Sequence, residues 1–184
     1  MDALTPPYLL LASPAMLDPN FAKTVVLMGH HTKEGALGWI VNRLLGVPPK
    51  EILAPPLGES IHPETPLRLG GPVVTNGLVA LFRAEVPGVE QMEMAPGLLV
   101  SASAEILPRL FAGSPARPDG LLVLGYSGWG AEQLEHEMAE GAWLVLPYDD
   151  AFAFTNETED LWERALARLG VNPANVTPFP GGVS

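Results

Sequence analysis

The sequence predicts a single α+β domain, built on a bent, mixed and largely antiparallel sheet with helices around it. Its 184 residues are 47% apolar, which suits one sizeable core. Apolar and β-branched runs of strand length recur along the chain, and helical segments alternate with them only irregularly. A hairpin near the start also argues against a regular doubly wound parallel sheet.

The predicted elements follow in chain order. Strand-length apolar runs lie at 8–12, 24–28, 36–41, 77–82, 97–100, 121–124 and 143–146. The loop at 29–35 joins the second and third runs into the hairpin. Helices are predicted at 50–53, from Ser101 or Ser103 to Phe111, at 131–139 and at 156–169. The last helix would begin with a capping box at Asn156 and Glu159 and end at Gly170.

Residues 4–171 are predicted to form one domain, because no repeat or linker divides them. Residues 172–184 are expected to be an irregular C-terminal tail. Gly70-Gly71-Pro72 marks a sharp turn ahead of a strand, since Pro72 biases Gly71 towards extended geometry.

The most specialised segment runs from Gly125 to Glu135, where three glycines surround Tyr126 and Trp129. It follows an apolar run, so it is predicted to be a strand that breaks at the glycines and turns into a helix. Such a turn either packs its aromatic rings into the core or binds an anion through free backbone N–H groups. Ser127 stands in a Gly-x-Ser context, but Trp129 replaces the second glycine of a nucleophile elbow.

Histidines and acids offer a second chemistry to test. On a helix, Glu132, Glu135, His136 and Glu140 would share one face, and His30 and His31 lie in the predicted hairpin loop. The helix lacks the second histidine of a zinc-protease motif, and no spacing enforces a metal site. The sequence therefore assigns no catalytic residue, no metal ligand and no cofactor.

Charge excludes one class of partner. The formal net charge is −11, and between Arg117 and Arg164 there are eleven acids and no Lys or Arg. Such a surface repels nucleic acid, so direct DNA binding is not expected. The 119–163 region suits either a basic protein partner or plain solvation. No apolar run is long enough for a membrane span and no signal peptide is recognisable, so a cytoplasmic location is expected.

Five segments together resemble the bacterial YqgE/AlgH family, and they extend over roughly residues 8–170. They are Ser13-Pro14 with Asp18-Pro19-Asn20-Phe21; His31 with 35–42; Gly70-Gly71-Pro72-Val73; 125–135; and Gly141-Ala142-Trp143-Leu144. The resemblance implies a curved sheet that closes partly into a small barrel. The chain departs from the family pattern at Ser13, Leu44 and Ser127, and the last departure argues against any role that needs a hydroxyl there.

The family has no settled activity, so the resemblance leaves two functions open. One is a non-enzymatic regulatory or protein-interaction module that acts indirectly, as the family's label of alginate regulator implies. The alternative is a small-molecule-binding protein or cryptic enzyme with a site where the glycine motifs converge. The candidate ligand-binding residues are His31, Gly35, Asn42, Gly70, Gly71, Pro72, Gly125, Tyr126, Gly128, Trp129, Gln133 and Glu135.

Overall fold

The chain folds around one nine-stranded sheet, so the predicted α+β class is confirmed. A computed structural model describes residues 4–114 and 120–175, with the backbone alone at 74–76. The strands are β1 (Tyr8–Ala12), β2 (Val25–Thr32), β3 (Gly35–Ile40), β4 (Leu67–Leu69), β5 (Val73–Phe82), β6 (Met92–Ala95), β7 (Leu98–Ser101), β8 (Gly120–Trp129) and β9 (Trp143–Pro147). Their order is β6-β7-β5-β8-β3-β2-β1-β9, and β4 pairs with β8. The path has two ends, so its hydrogen bonds do not close the sheet into the barrel that the resemblance implied.

The described residues also contain five short α-helices. They are α1 (Pro49–Ile52), α2 (Ile106–Phe111), α3 (Gln133–Ala139), α4 (Asp150–Ala153) and α5 (Leu161–Arg168). Buried side chains of α4 and α5 pack with those of β1, β2 and β9 in one core cluster. Leu134 of α3 belongs to a second cluster, which contains the alternate residues of β1 and β2 and so lies on the opposite face of the sheet. A third cluster places α2 against β5, β7 and β8. The predicted tail lies mostly outside the described residues, which include only a 3₁₀ turn at Pro173–Asn175.

The predicted hairpin is present, but its loop is shorter than expected. Thr32 pairs with Gly35, so only Lys33 and Glu34 form the turn. His30 and His31 therefore belong to β2, not to a loop. A bulge between Met28 and His30 shifts the register there, and His30 is exposed whereas the side chain of His31 is buried.

The segment 125–129 is a strand, and its prediction as a strand-to-helix turn was wrong. Strand β8 continues to Trp129 because it has partners along its whole length: β5 pairs with 120–124 and Tyr126, while β4 pairs with 122–124 and β3 with 127–129. Gly125, at φ +76°, lies between the stretch that pairs with β4 and the stretch that pairs with β3, at a backbone conformation that favours glycine. The chain leaves the strand after Trp129, and Glu132, at φ +61°, precedes α3.

Several elements were missed or misplaced. Strand β4 has only three residues and lies in the Pro- and Gly-rich segment, where it pairs in parallel with β8. Strand β6 and helix α4 were also not predicted. The last helix begins at Leu161 instead of Asn156, because the Asn156 side chain accepts a hydrogen bond from Arg68 at 3.0 Å and does not cap the helix.

Candidate functional site

Two glycine motifs meet in a seam between β4 and β8. The N–H of Gly70 donates to the Leu124 carbonyl at 2.7 Å, and the Ser127 hydroxyl donates to the Gly70 carbonyl at 3.1 Å. A Cβ at Gly70 would stand 2.5 Å from the Val123 side chain, and one at Gly71 would overlap the Tyr126 carbonyl. The glycines are therefore required for close backbone approach, which leaves no room for a ligand between them.

The hairpin glycine makes a similar approach at the far end of β8. A Cβ at Gly35 would lie 2.5 Å from the Trp129 carbonyl oxygen. Pro72 and Gly128, by contrast, are exposed, and a Cβ at Gly128 would meet only the Tyr126 ring, at 3.4 Å. The motifs thus converge along one strand, most of them in direct contact with each other.

Next to this seam, the carboxylate of Glu137 collects three side-chain donors. Oε1 accepts the indole N–H of Trp129 at 3.2 Å and that of Trp143 at 3.0 Å. Oε2 accepts from the Gln133 side chain at 2.9 Å, while the Gln133 carbonyl group accepts from the N–H of Gly130. Since both indoles are almost fully buried, Glu137 satisfies polar groups that would otherwise be costly.

Phe21 completes an aromatic cluster with these two indoles. Its ring is stacked on Trp129 at 6.0 Å between centroids and meets Trp143 edge-on at 5.3 Å. The loop that carries Phe21 is held by Arg43, which donates to the carbonyl oxygens of residues 19, 20 and 22. Burial lowers the pKa of Arg43, and the charge of Asp18 opposes that shift.

Asn42 closes the base of the same loop. Its side-chain oxygen accepts from the Val25 N–H at 2.9 Å, and its amide donates to the Lys23 carbonyl at 2.9 Å. Both groups of the amide are therefore engaged in backbone hydrogen bonds where β2 begins. Asn42, which the sequence offered as a candidate ligand-binding residue, is thus engaged where β3 ends and β2 begins.

A chain of hydrogen bonds links β1, β2 and α3. The Tyr8 hydroxyl lies 2.7 Å from Nδ1 of His31, and Nε2 of His31 contacts the Glu135 carboxylate. A neutral His31 satisfies both contacts if Nε2–H donates to Glu135 and Nδ1 accepts from Tyr8. The hydrogen bond from His31 lowers the pKa of Glu135, whereas burial, assisted by the charge of Glu135, raises the pKa of Tyr8.

Arg68 is a second buried polar anchor. Its side chain is almost fully buried and donates to the carbonyls of Val41, at 2.9 Å, and Thr155, at 2.6 Å, besides the Asn156 side chain. Burial lowers the pKa of Arg68 to about 10. These bonds tie β4 to the segment between α4 and α5.

Sequence reasoning placed His31, Gln133, Glu135 and Trp129 in the candidate site, and the structure brings them to one end of β8 and α3. It missed Glu137 and Tyr8. The spacing of Gln133 and Glu137 by four residues is the signal that could have found Glu137, since it puts both on one helix face. Tyr8 has no local signal. Within 4–114 and 120–175, no group of three or more potential metal ligands is present.

The acidic stretch is only partly neutralised. Arg168, Arg83 and Arg164 pair with acids from it: Asp149 at 3.1 Å, Asp150 at 3.3 Å and Asp160 at 2.8 Å. The exposed acids of the stretch that have no ion pair with any described residue are Glu132, Glu140, Glu157, Glu159 and Glu163. None of the helices in the described part of the chain is long and apolar enough to cross a bilayer.

Fold and site together define an α+β domain whose glycine motifs pack against one another along a long central strand. The chain belongs to the AlgH-like family, whose model matches residues 9–174. It is 37% identical over 186 residues to a UPF0301 protein of Anaeromyxobacter dehalogenans, covering 96% of this chain and 93% of that relative. A UPF0301 protein of Pseudomonas fluorescens is 35% identical, with 98% and 99% covered.

Solved structures agree with the family. The solution structure of the AlgH protein from Pseudomonas aeruginosa aligns over 100% of both chains, with a TM-score of 0.72 and 33% identity. A crystal structure of a protein from Corynebacterium diphtheriae shares the fold at a TM-score of 0.68 and 23% identity, covering 91% of this chain and 88% of that one. The resemblance recognised in the motifs is thereby confirmed.

Proposed function

We propose that this chain is a non-enzymatic regulatory module that acts through protein contacts, and that its acidic surface binds a basic protein partner. The observation that carries the proposal is that five exposed glutamates between 132 and 163 form no ion pair with a described residue, and that three of them, Glu157, Glu159 and Glu163, lie within seven residues at the start of α5. Complementary charge steers a cationic partner to such a surface and selects against acidic ones.

The non-enzymatic part of the proposal is supported by how the chemically capable side chains are used. Ser127 is fully buried and its hydroxyl is hydrogen-bonded to Gly70. The His31 side chain is 3% exposed and is engaged at both ring nitrogens. A small-molecule site or cryptic enzyme at the glycine seam has less support, because the backbones there are already in contact.

Regulation by direct DNA contact is disfavoured on charge. A net charge of −11 opposes the counterion release that drives binding to phosphates. Any regulatory effect of this module would therefore be indirect. Its cytoplasmic location remains a prediction from the sequence.

Fluorescence anisotropy with a labelled oligolysine peptide tests the proposal at about 150 mM salt, where weak surface attraction is screened. We expect salt-dependent binding that is lost when Glu140, Glu157, Glu159 and Glu163 are all changed to Gln. The matched control changes four exposed glutamates elsewhere, namely Glu51, Glu59, Glu64 and Glu105. It removes the same net charge from other surfaces.

Two results would contradict the proposal. If the two quadruple variants lose affinity equally, the effect comes from overall charge and the acidic surface is not a site. If the protein binds duplex DNA at the same salt concentration, with affinity falling steeply as salt rises, then our interpretation of the charge is wrong.

A further inference from the structure

Strand β9 is one border of the sheet, and its outer edge is unpaired in the described part of the chain. It pairs with β1, with Leu11 opposite Leu144 and Leu9 opposite Leu146. The N–H of Ser13 donates to the Ala142 carbonyl at 2.9 Å, which marks Ser13 and Ala142 as a hydrogen-bonded pair. In an antiparallel pair such positions recur every second residue, so Leu144 and Leu146 direct their backbone groups towards β1.

The residues between them face the other way. Trp143, Val145 and Pro147 direct their backbone groups outward, since Ala12, opposite Trp143, donates its own N–H away from β9 to the Thr24 carbonyl at 3.0 Å. No side-chain or loop hydrogen bond from residues 4–114 or 120–175 reaches the N–H of Trp143 or of Val145. Among the described residues, the edge therefore offers two outward N–H donors, of which that of the half-buried Val145 is the more accessible because Trp143 is only 3% exposed. Such an edge is a template for another strand.

Charge around this edge selects the occupant. Glu140, exposed and without an ion pair to a described residue, lies three residues before β9 begins. The indole N–H of Trp162 donates to the Ala12 carbonyl at 2.8 Å on the side of β1 that faces away from β9, so α5, with the exposed Glu163, packs over β1 and β2, one strand in from the edge. A second copy of the chain would bring the same acids and a net charge of −11 to the contact. An extended basic segment fits this edge and a second copy does not.

We propose that the outer edge of β9 binds an extended, basic segment of a partner protein as an added strand. Backbone hydrogen bonds to Trp143 and Val145 supply the affinity, and the exposed Glu140 next to the strand supplies the preference for Lys and Arg. Pro147 has no N–H, so pairing weakens at that end. This inference rests on the proposed function and names the site where the basic partner docks.

The decisive variant is Val145→Pro, which removes the outward N–H. Proline is tolerated on an edge strand where its missing N–H faces away from the sheet. The matched control is Val145→Ala, which trims the same half-buried side chain and keeps the N–H. The probe is a peptide of alternating Lys and Val, compared with the same peptide N-methylated at every residue, which keeps the charge and leaves neither edge of the peptide able to pair.

We expect wild type and Val145→Ala to bind the plain peptide, Val145→Pro to bind about tenfold more weakly, and the N-methylated peptide to bind poorly to all. Amide exchange at Trp143 and Val145 should slow on binding. If folded Val145→Pro binds like wild type, or if the N-methylated peptide binds equally well, the inference fails while the proposed function stands. If neither peptide binds wild type, both fail.

Two further outcomes are also decisive. If Val145→Pro does not fold, the inference is tested by amide exchange in the complex of the wild-type protein with the plain peptide. Unchanged exchange rates at Trp143 and Val145 would then overturn it. Sedimentation of the free protein tests the competing occupant. A dimer that Val145→Pro dissociates would show that a second copy covers the edge, which contradicts a basic partner there.

Discussion

The carbonyl oxygen of Tyr126 lies against the Cα of Gly71, so closely that a methyl group on Gly71 would overlap it. This approach joins the start of β5 to the middle of β8, where Val73 pairs with Tyr126. The two most conspicuous glycine motifs of the sequence are thus two sides of one contact. Their glycines serve packing, which a substitution can test directly.

Gly71→Ala should destabilise the protein by about 3 kcal/mol, because the backbone of β8 must move to admit the methyl group. Gly77→Ala, in the same strand β5, is the control, since a Cβ there meets no atom within 4 Å. It should change stability by less than about 0.5 kcal/mol. Urea denaturation followed by circular dichroism compares the two, and equal effects would refute the close approach.

Gly125 and Gly128 should respond differently to alanine, although both belong to the same motif. Gly125 has φ +76°, so Gly125→Ala should cost about 1–2 kcal/mol of strain. Gly128 is exposed and a Cβ there makes ordinary contact with Tyr126, so Gly128→Ala should be nearly neutral. Thermal unfolding measures both, and a larger loss at Gly128 would contradict the strand assignment.

Removing the Glu137 carboxylate should leave the buried indole N–H groups of Trp129 and Trp143 without their acceptor. We expect Glu137→Ala to lower the free energy of unfolding by about 2–4 kcal/mol. Glu137→Gln keeps one acceptor oxygen, so its free energy of unfolding should lie between those of wild type and Glu137→Ala. Tryptophan fluorescence should change with Glu137→Ala, and the exposed neighbour Glu140 provides the control variant Glu140→Ala. A neutral Glu137→Ala would show that water replaces the carboxylate.

Stability should depend on pH through Glu135. Because the hydrogen bond from His31 lowers the pKa of Glu135 below its ordinary 4.5, the folded state favours the ionised form. The resulting stabilisation is present above pH 4.5 and is lost as pH falls through the lower folded pKa. The Glu135 side chain is 41% exposed, so the effect should stay below about 1 kcal/mol.

The measurement is the free energy of unfolding of wild type and Glu135→Gln between pH 3 and pH 7. The two curves should differ above pH 4.5 and converge in acid. Curves that run parallel across the whole range would mean that the contact between His31 and Glu135 contributes no pH dependence.

The sequence predicts those elements of the fold that depend on neighbouring residues better than those that depend on contacts between distant residues. The strands near 8–12, 121–124 and 143–146 were predicted because they are unbroken apolar runs, and most of their side chains are buried in the structure. Strand β4 was missed, because its three residues include the charged Arg68, and only carbonyl groups distant in sequence make burial of that cation acceptable. Asn156 was predicted to cap a helix because only its near neighbours could be weighed in the sequence. In the structure its side chain accepts a hydrogen bond from Arg68, which lies 88 residues away.

The candidate site shows the same contrast between local patterns and contacts that join distant parts of the sequence. Gln133 and Glu135 were found from a local motif. The partners of Gln133, Gly130 and Glu137, lie three and four residues away and are within reach of a local pattern, whereas the partner of Glu135 is His31 on another strand. His31 reaches Glu135 across 104 residues of sequence. No local pattern encodes such a contact.

By itself the sequence determined the family, the α+β class, the acidity of the surface and most of the core strands, because apolar runs, charges and glycine motifs are local properties of the chain. The tertiary structure decided that the glycines of 125–129 lie within a strand, that the motifs close on each other, and that β9 is left at the border of the sheet. Those outcomes depend on which strands pair and how closely their backbones approach, and pairing is set by the burial of the whole sheet at once.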